Sequence, residues 1–205
     1  MSERKAESLS RLITRTLEPE DVLTCHAGMV NAYAEVFAEP PWNEDEDSFE
    51  AFARSLLEYA GSPGFRGAVL CEPSGAIEGF ALGADWIPDN WWCSRVTEGL
   101  GPRAADWTSS CFHLLELAVR REHRGNGYGA DLYDALVGGL PHRTAILSTN
   151  KLGPVAAARL YARRGWRLLL EEWRHCEQCP PVQVLGLREP ALSAGASSTN
   201  VEKSE

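Results

Sequence analysis

Leu117-Ala118-Val119-Arg120-Arg121-Glu122-His123-Arg124-Gly125-Asn126-Gly127-Tyr128-Gly129-Ala130 is the stretch on which the reading of this chain turns. The branched and aromatic run Phe112 to Val119 leads into it and predicts a strand, while Leu132, Ala135 and Leu136 follow it at helical spacing. Three glycines therefore lie between a strand and a helix. Glycines let successive backbone N–H groups turn toward one centre, and the helix N-terminus adds the positive end of its dipole. Such a turn holds a pyrophosphate largely by main chain, and Arg124 can add a charge-assisted contact.

Working outward, Leu12 to Leu17 alternates as a first strand before Pro19 opens a helical region. Met29, Val30, Tyr33, Val36 and Phe37 recur at helical spacing until Pro40 and Pro41. A second helix is expected with Asn43 as its cap, Glu46 at the third helical position, and Phe49, Phe52, Leu56 and Tyr59 as its buried stripe. Phe65 to Cys71 and Ile77 to Ala84 read as a hairpin around Pro73-Ser74-Gly75. Trp86 to Ser110 shows no clean periodicity and reads as a loop, whose length marks it as functional, disordered or misread, with Trp91, Trp92 and Trp107 speaking against disorder. After the glycine turn and its helix come a short strand from Ala145 to Thr149 and a helix from Val155 to Arg164, stopped by Gly165. Trp166 to Trp173 and Val182 to Leu187 are the closing strands. The order predicts a mixed α/β domain with one sheet over residues 11–188, a flexible N-terminus 1–10 and a disordered tail 189–205.

Composition bounds the function. A chain of 205 residues buries a core without metal or disulfides. Its formal charge of -9 argues against a nucleic-acid surface and favours cationic small molecules or peptide amines as partners. No apolar run reaches the roughly 20 residues of a membrane span, and no apolar segment follows Arg4 and Lys5 as a secretory signal requires, so a cytoplasmic location is expected. Six cysteines are then expected as thiols. Cys176 and Cys179 form a C-x-x-C pair beside His175, but no second pair exists, so no metal is assigned.

The motif residues resemble the GNAT superfamily of acyl-coenzyme A-dependent N-acetyltransferases, whose signature Q/R-x-x-G-x-G/A is filled by Arg124, Gly127 and Gly129. The Leu-Ala-Val end of the strand, Asn150 closing the next strand, and Leu160-Tyr161 before Arg164-Gly165-Trp166 resemble it as well. The resemblance implies a twisted, mostly antiparallel sheet of about seven strands flanked by about four helices. It also implies acetyl-CoA as co-substrate, with the fourth and fifth strands splayed so that pantetheine pairs with the backbone of Leu117, Ala118 and Val119. Gly125, Asn126, Gly127, Tyr128, Gly129 and Ala130 would cradle the phosphates with Arg124, and Asn150 would bond the pantetheine arm or cap its strand. Arg120, Arg121, Arg124, Arg159, Arg163 and Arg164 cluster on the motif and the later helix, where the resemblance would place the coenzyme A phosphates.

What the resemblance implies for chemistry is transfer of an acetyl group to a primary amine by direct attack in a ternary complex. Tyr161 matches the superfamily's usual general acid. Glu116 is a candidate base, His113 its rival on the opposite face by strict alternation unless a bulge shifts the parity, and a water relay can replace both. The acceptor pocket would come from Phe37 to Asp47, including Glu39, Glu44 and Asp45, and from Trp86 to Trp107. Superfamily members often pair as dimers, so a homodimer is compatible with the resemblance. One alternative is a non-catalytic coenzyme A-binding regulatory domain. Another, a dinucleotide site on Gly125, Gly127 and Ala130, expects an acidic residue about 20 positions on, where Asn150 stands instead.

Overall fold

The computed structural model describes residues 12–150 and 155–188, and the expected flexible N-terminus 1–10 and tail 189–205 lie outside the described residues. Within them the chain runs β1 (Ile13–Leu17), α1 (Asp21–Phe37), α2 (Glu46–Ala60), β2 (Arg66–Cys71), β3 (Ile77–Asp85), α3 (Trp91–Leu100) and α4 (Ala104–Thr108). It continues through β4 (Cys111–Val119), α5 (Tyr128–Val137), β5 (Thr144–Asn150), α6 (Val155–Arg163), β6 (Arg167–Trp173) and β7 (Val182–Arg188). The strands make one mixed sheet in the order β1-β2-β3-β4-β5-β7-β6. Every neighbouring pair is antiparallel except β4 and β5, which are parallel.

Strand alternation sends side chains to two faces, and each face is covered by helices. On one face α5 and α6 bury Leu132, Tyr133, Leu136 and Tyr161 against Phe112, Leu114, Ala145 and Leu147. On the other, α1 and α2 pack Met29, Tyr33, Phe52 and Leu56 over Val69, Phe80 and Leu82. The same face carries α3 and α4 farther along the sheet, where Val96, Leu100 and Trp107 meet Ile146, Leu169 and Val184. Between these two helical covers β4 forms the floor of a seam, or trough, with His113 stacked on Trp92 of α3 on one side and Glu116 coupled to Glu44 on the other. No described helix is long and apolar enough to cross a membrane.

Three expectations are corrected. The segment expected as a loop from Trp86 to Ser110 contains α3 and α4. Asn90 caps α3 by accepting from the amides of Trp92 and Cys93 at 3.0 and 3.3 Å, and Cys93, Val96 and Leu100 form its buried stripe. The cap of α2 is Asp45 rather than Asn43: the Asp45 carboxylate accepts from the Ser48 amide at 3.2 Å, while Asn43 sits at φ 49° in the preceding turn. Lastly, Cys176 and Cys179 are joined in a disulfide, because the turn closed by Cys179 N–H on the Cys176 carbonyl brings their side chains together. Cys25, Cys71, Cys93 and Cys111 are buried free thiols, as expected.

Candidate active site

The β4–β5 ladder is short. Cys111, Phe112 and His113 pair with Thr144, Ala145 and Ile146, and beyond that point β4 has no strand partner on this side among the described residues. The edge from Leu114 to Val119 is thus open, while its other edge stays hydrogen-bonded to β3 as far as Val119 opposite Gly79. Leu117, Ala118 and Val119, the expected pantetheine strand, lie on this opened part.

A bulge sits where the strands part. Leu82 faces Glu116 and Gly83 faces Leu114, so Leu115 is an extra residue in β4. The parity of the strand changes there. Phe112 and Leu114 point into the α5–α6 core, and so do Leu117 and Val119, whereas Leu115 and Ala118 join the opposite core. The bulge therefore turns Glu116 to the same face as His113, which strict alternation forbids.

At the end of the open edge the chain makes one 3-10 turn at Arg121–His123 and enters the glycine segment. Gly125 at φ 81° and Gly127 at φ 91° take the left-handed backbone that L side chains resist. Asn126 braces the turn from within by donating to the carbonyls of His123 and Arg124 at 3.2 and 3.3 Å. Gly127 is the N-cap of α5 and no side chain caps it, so the first-turn amides of Tyr128 and Gly129 are left for an anion, whereas the Ala130 amide, also expected there, donates to the Gly127 carbonyl at 2.8 Å. A Cβ built at Gly127 would meet nothing within 4 Å, so the space before the turn is open. The backbone fits a pyrophosphate.

Arg124 is already engaged: its Nε donates to the Val119 carbonyl and its guanidinium pairs with Glu39, both at 2.8 Å. Arg121 also reaches Glu39, Arg120 pairs with Glu35 and Glu78, and Arg164 pairs with Asp134. Arg159 and Arg163 are exposed on α6. Asn150 closes β5 opposite Val182.

In the trough the acid groups separate by role. Glu39 belongs to the Arg124 ion pair and Asp45 to the helix cap, so only Glu44 of the three expected pocket carboxylates is electrostatically coupled to Glu116. Tyr33 donates its hydroxyl to Glu44 at 2.7 Å, and its ring stacks between Phe37 and Phe52. Burial, then the Glu44 charge, pushes the Glu116 carboxyl up to about 8. Burial likewise raises Glu44, against the pull of its hydrogen bond from Tyr33, and holds Tyr59 at about 12 with help from Glu116.

His113 is packed away instead. Its ring stacks on Trp92 with centroids 4.4 Å apart and lies 5.6 Å from Trp86, and burial depresses its pKa to about 3. It is neutral at physiological pH. Tyr161 is buried on the other side of the splay beside Trp166, and desolvation, followed by Tyr133 and Glu116, raises its hydroxyl far above the ordinary tyrosine value. It stays protonated. Tyr33 and Tyr59 were not singled out as site residues by sequence, because each also fits a helix stripe, whereas Trp92 falls within the expected pocket segment Trp86 to Trp107.

An open mixed sheet, splayed at its one parallel pair beside a glycine-rich strand-to-helix turn, is the architecture of the acyl-coenzyme A-dependent N-acyltransferase class. Residues 30–166, more than half of the 205-residue chain, match the family model described as Acetyltransferase (GNAT) family, and the chain belongs to that family. Among solved structures it is similar to a GNAT-family protein from Desulfovibrio desulfuricans, with 14% identity and a TM-score of 0.57 over 87% of this chain and 99% of that one. It is also similar to yncA from Salmonella typhimurium, determined with its cofactor acetyl-CoA, at 15% identity and a TM-score of 0.53 over 87% and 94% of the two chains. A third is the paia N-acetyltransferase of Thermoplasma acidophilum in complex with coenzyme A, at 12% identity and a TM-score of 0.51 over 87% and 99%. These identities speak for the fold alone. No curated protein matches the chain by sequence.

Proposed function

We propose that the protein transfers an acetyl group from acetyl-CoA to a primary amine of a small molecule or peptide by direct attack in a ternary complex. The observation that carries this reading is the coincidence of three features on β4: the edge opened after His113, the bulge at Leu115 that turns Glu116 into the trough, and the glycine turn at its end. One strand thus reaches both the cofactor side and the acceptor side.

In this reading the amides of the α5 first turn, with Gly125 and Gly127, hold the pyrophosphate, and the open backbone of Leu117, Ala118 and Val119 aligns the pantetheine arm. Arg124 acts mainly by fixing the turn to the segment that follows α1 through Glu39. A backbone N–H of the open edge stabilises the negative charge that develops on the thioester oxygen. Asn150 lies at the corresponding end of β5 and steadies the arm.

Glu116 takes the proton from the incoming ammonium, directly or through a water. A carboxyl pushed up to about 8 is matched to that task near neutral pH, where a carboxylate at its ordinary value would be a weaker base. His113, held neutral between tryptophans, shapes the wall. Tyr161, kept protonated by burial, donates to the departing thiolate, whose conjugate thiol has a pKa near 8.5. The trough joins Glu44 and Glu116 to aromatic walls, which suits an amine that arrives as a cation on an apolar body.

The test is thiol release from acetyl-CoA across a panel of small and peptide amines. Amine-dependent release well above hydrolysis supports the reading. Tight coenzyme A binding with no release for any amine would favour a non-catalytic coenzyme A-binding domain.

A further inference from the structure

On the hairpin tip between β6 and β7, three metal-ligating residues converge outside the acyl-transfer trough. His175, Cys176 and Cys179 offer ligand atoms that all lie within 4.8 Å of one another. The His175 ring is framed by Trp91 at 5.3 Å and Trp173 at 6.1 Å, and its backbone carbonyl accepts from Arg95 Nε at 3.3 Å. Arg174 donates to the Cys179 carbonyl, bracing the other end of the turn. One atom lacks a partner: His175 Nδ1 is shut off from solvent and makes no hydrogen bond. A buried imidazole nitrogen without a partner is costly and calls for an explanation.

We propose that the His175, Cys176 and Cys179 corner is a thiolate–imidazole site for a divalent ion of the zinc class, available when the disulfide is opened. A small-molecule thiol reduces the bond by exchange: two of its molecules become one small disulfide, and Cys176 and Cys179 each gain a proton. The ion then displaces those two protons and takes two thiolates and one imidazole nitrogen, leaving its fourth position to water. Tetrahedral zinc, with bonds of about 2.3 Å to sulfur and about 2.0 Å to nitrogen, sets neighbouring ligand atoms roughly 3.5–3.8 Å apart. To reach that geometry the two sulfurs, bonded to each other in the disulfide, must separate, and the imidazole nitrogen, within 4.8 Å of them, must close by at most about 1 Å. Two thiolates with an imidazole select zinc over harder ions such as magnesium or calcium. In the oxidised form the sulfurs are bonded to each other and the site is closed, so metal uptake reports the redox state of the turn.

The second cluster of this kind in the described residues, Glu78, Glu122 and His123, carries no such inference. There Glu78 is already bonded to His123 at 3.1 Å and paired with Arg120.

The experiment uses the full chain, reduced anaerobically with a phosphine, which is itself oxidised to its oxide, and then desalted. Cobalt(II) is titrated in while thiolate-to-metal absorption is followed, and zinc(II) is added in competition. Thiols reactive without denaturant are counted in parallel, since the other four cysteines are buried. The site predicts one equivalent of cobalt with thiolate absorption, its displacement by zinc, and zinc protection of two thiols. Unreduced protein and the C176S/C179S variant should show none of this, and H175A should bind at least about tenfold more weakly, the order lost even when an outer-sphere partner of a ligand is removed. Absence of thiolate absorption in the reduced wild type, an equal signal in C176S/C179S, or unchanged affinity in H175A would overturn the proposal. The wild-type thiol count decides even if a variant misfolds, and neither readout depends on acyl transfer.

Discussion

Replacing Glu116 with Gln should change both the stability and the pH profile, in directions that follow from its burial. The folded protein holds this carboxyl at about 8 against an ordinary 4.5, chiefly by desolvation and then by the Glu44 charge. Between those values the unfolded chain has lost the proton and the folded chain keeps it, so stability falls as pH rises. The contribution is fully present below the unfolded value and is lost as pH passes through about 8. The span between the two values sets a ceiling of roughly 5 kcal/mol. Glu116 is only partly shielded from solvent, and an effective dielectric nearer that of a surface reduces this to about 2–3 kcal/mol. Urea denaturation of wild type and E116Q at about pH 5 and about pH 9 should therefore show similar stability at the lower pH and a more stable variant, by about 2–3 kcal/mol, at the higher. Over the same range kcat/KM of the wild type should rise through an inflection near 8, and E116Q should lose that limb. Parallel stability–pH curves for the two proteins, or an unchanged limb in E116Q, would refute the reasoning.

Other consequences are local. Tyr161→Phe should lower kcat by about a hundredfold or more, the usual worth of a general acid, and full turnover across pH would remove Tyr161 from that role. Trp166→Phe deletes the buried bond from its Nε1 to the Tyr133 hydroxyl at 2.9 Å and should cost about 1–3 kcal/mol in denaturant unfolding. Gly186→Ala would set a Cβ 2.5 Å from the Trp107 ring and 2.6 Å from Leu169, and should cost about 1–3 kcal/mol by overpacking.

What could be read in advance was local in the chain. The glycine turn, the branched strand before it and the helix after it each announce themselves within about ten residues, and the structure places them in that order. Features set by distant contacts were not legible. The bulge at Leu115 leaves no mark on periodicity, although it decides which face Glu116 shares with His113. Arg124 reads as a spare cation, yet its partner Glu39 lies 85 residues away. Tryptophans on more than one side of α3 obscured a stripe that Cys93, Val96 and Leu100 nevertheless bury. At the start of α2 the spacing pointed to Asn43, and only the Asp45 bond to Ser48 shows where the helix is capped. The C-x-x-C spacing suits thiols, a disulfide or a metal, so sequence alone does not separate these states.

Thermal unfolding of the wild type and Gly127→Glu with acetyl-CoA, coenzyme A, NAD or no ligand tests the central claim most directly, because only a ligand that favours the native state raises the midpoint. A Cβ at position 127 has open space, so the variant should fold with a modest penalty for its positive φ, while its carboxylate repels a pyrophosphate. The account predicts that acetyl-CoA and coenzyme A stabilise the wild type, by about 2.7 kcal/mol at a hundred times Kd, that NAD does not, and that the variant loses the effect. No shift in the wild type at saturating acetyl-CoA, an undiminished shift in Gly127→Glu, or a shift with NAD alone would contradict it.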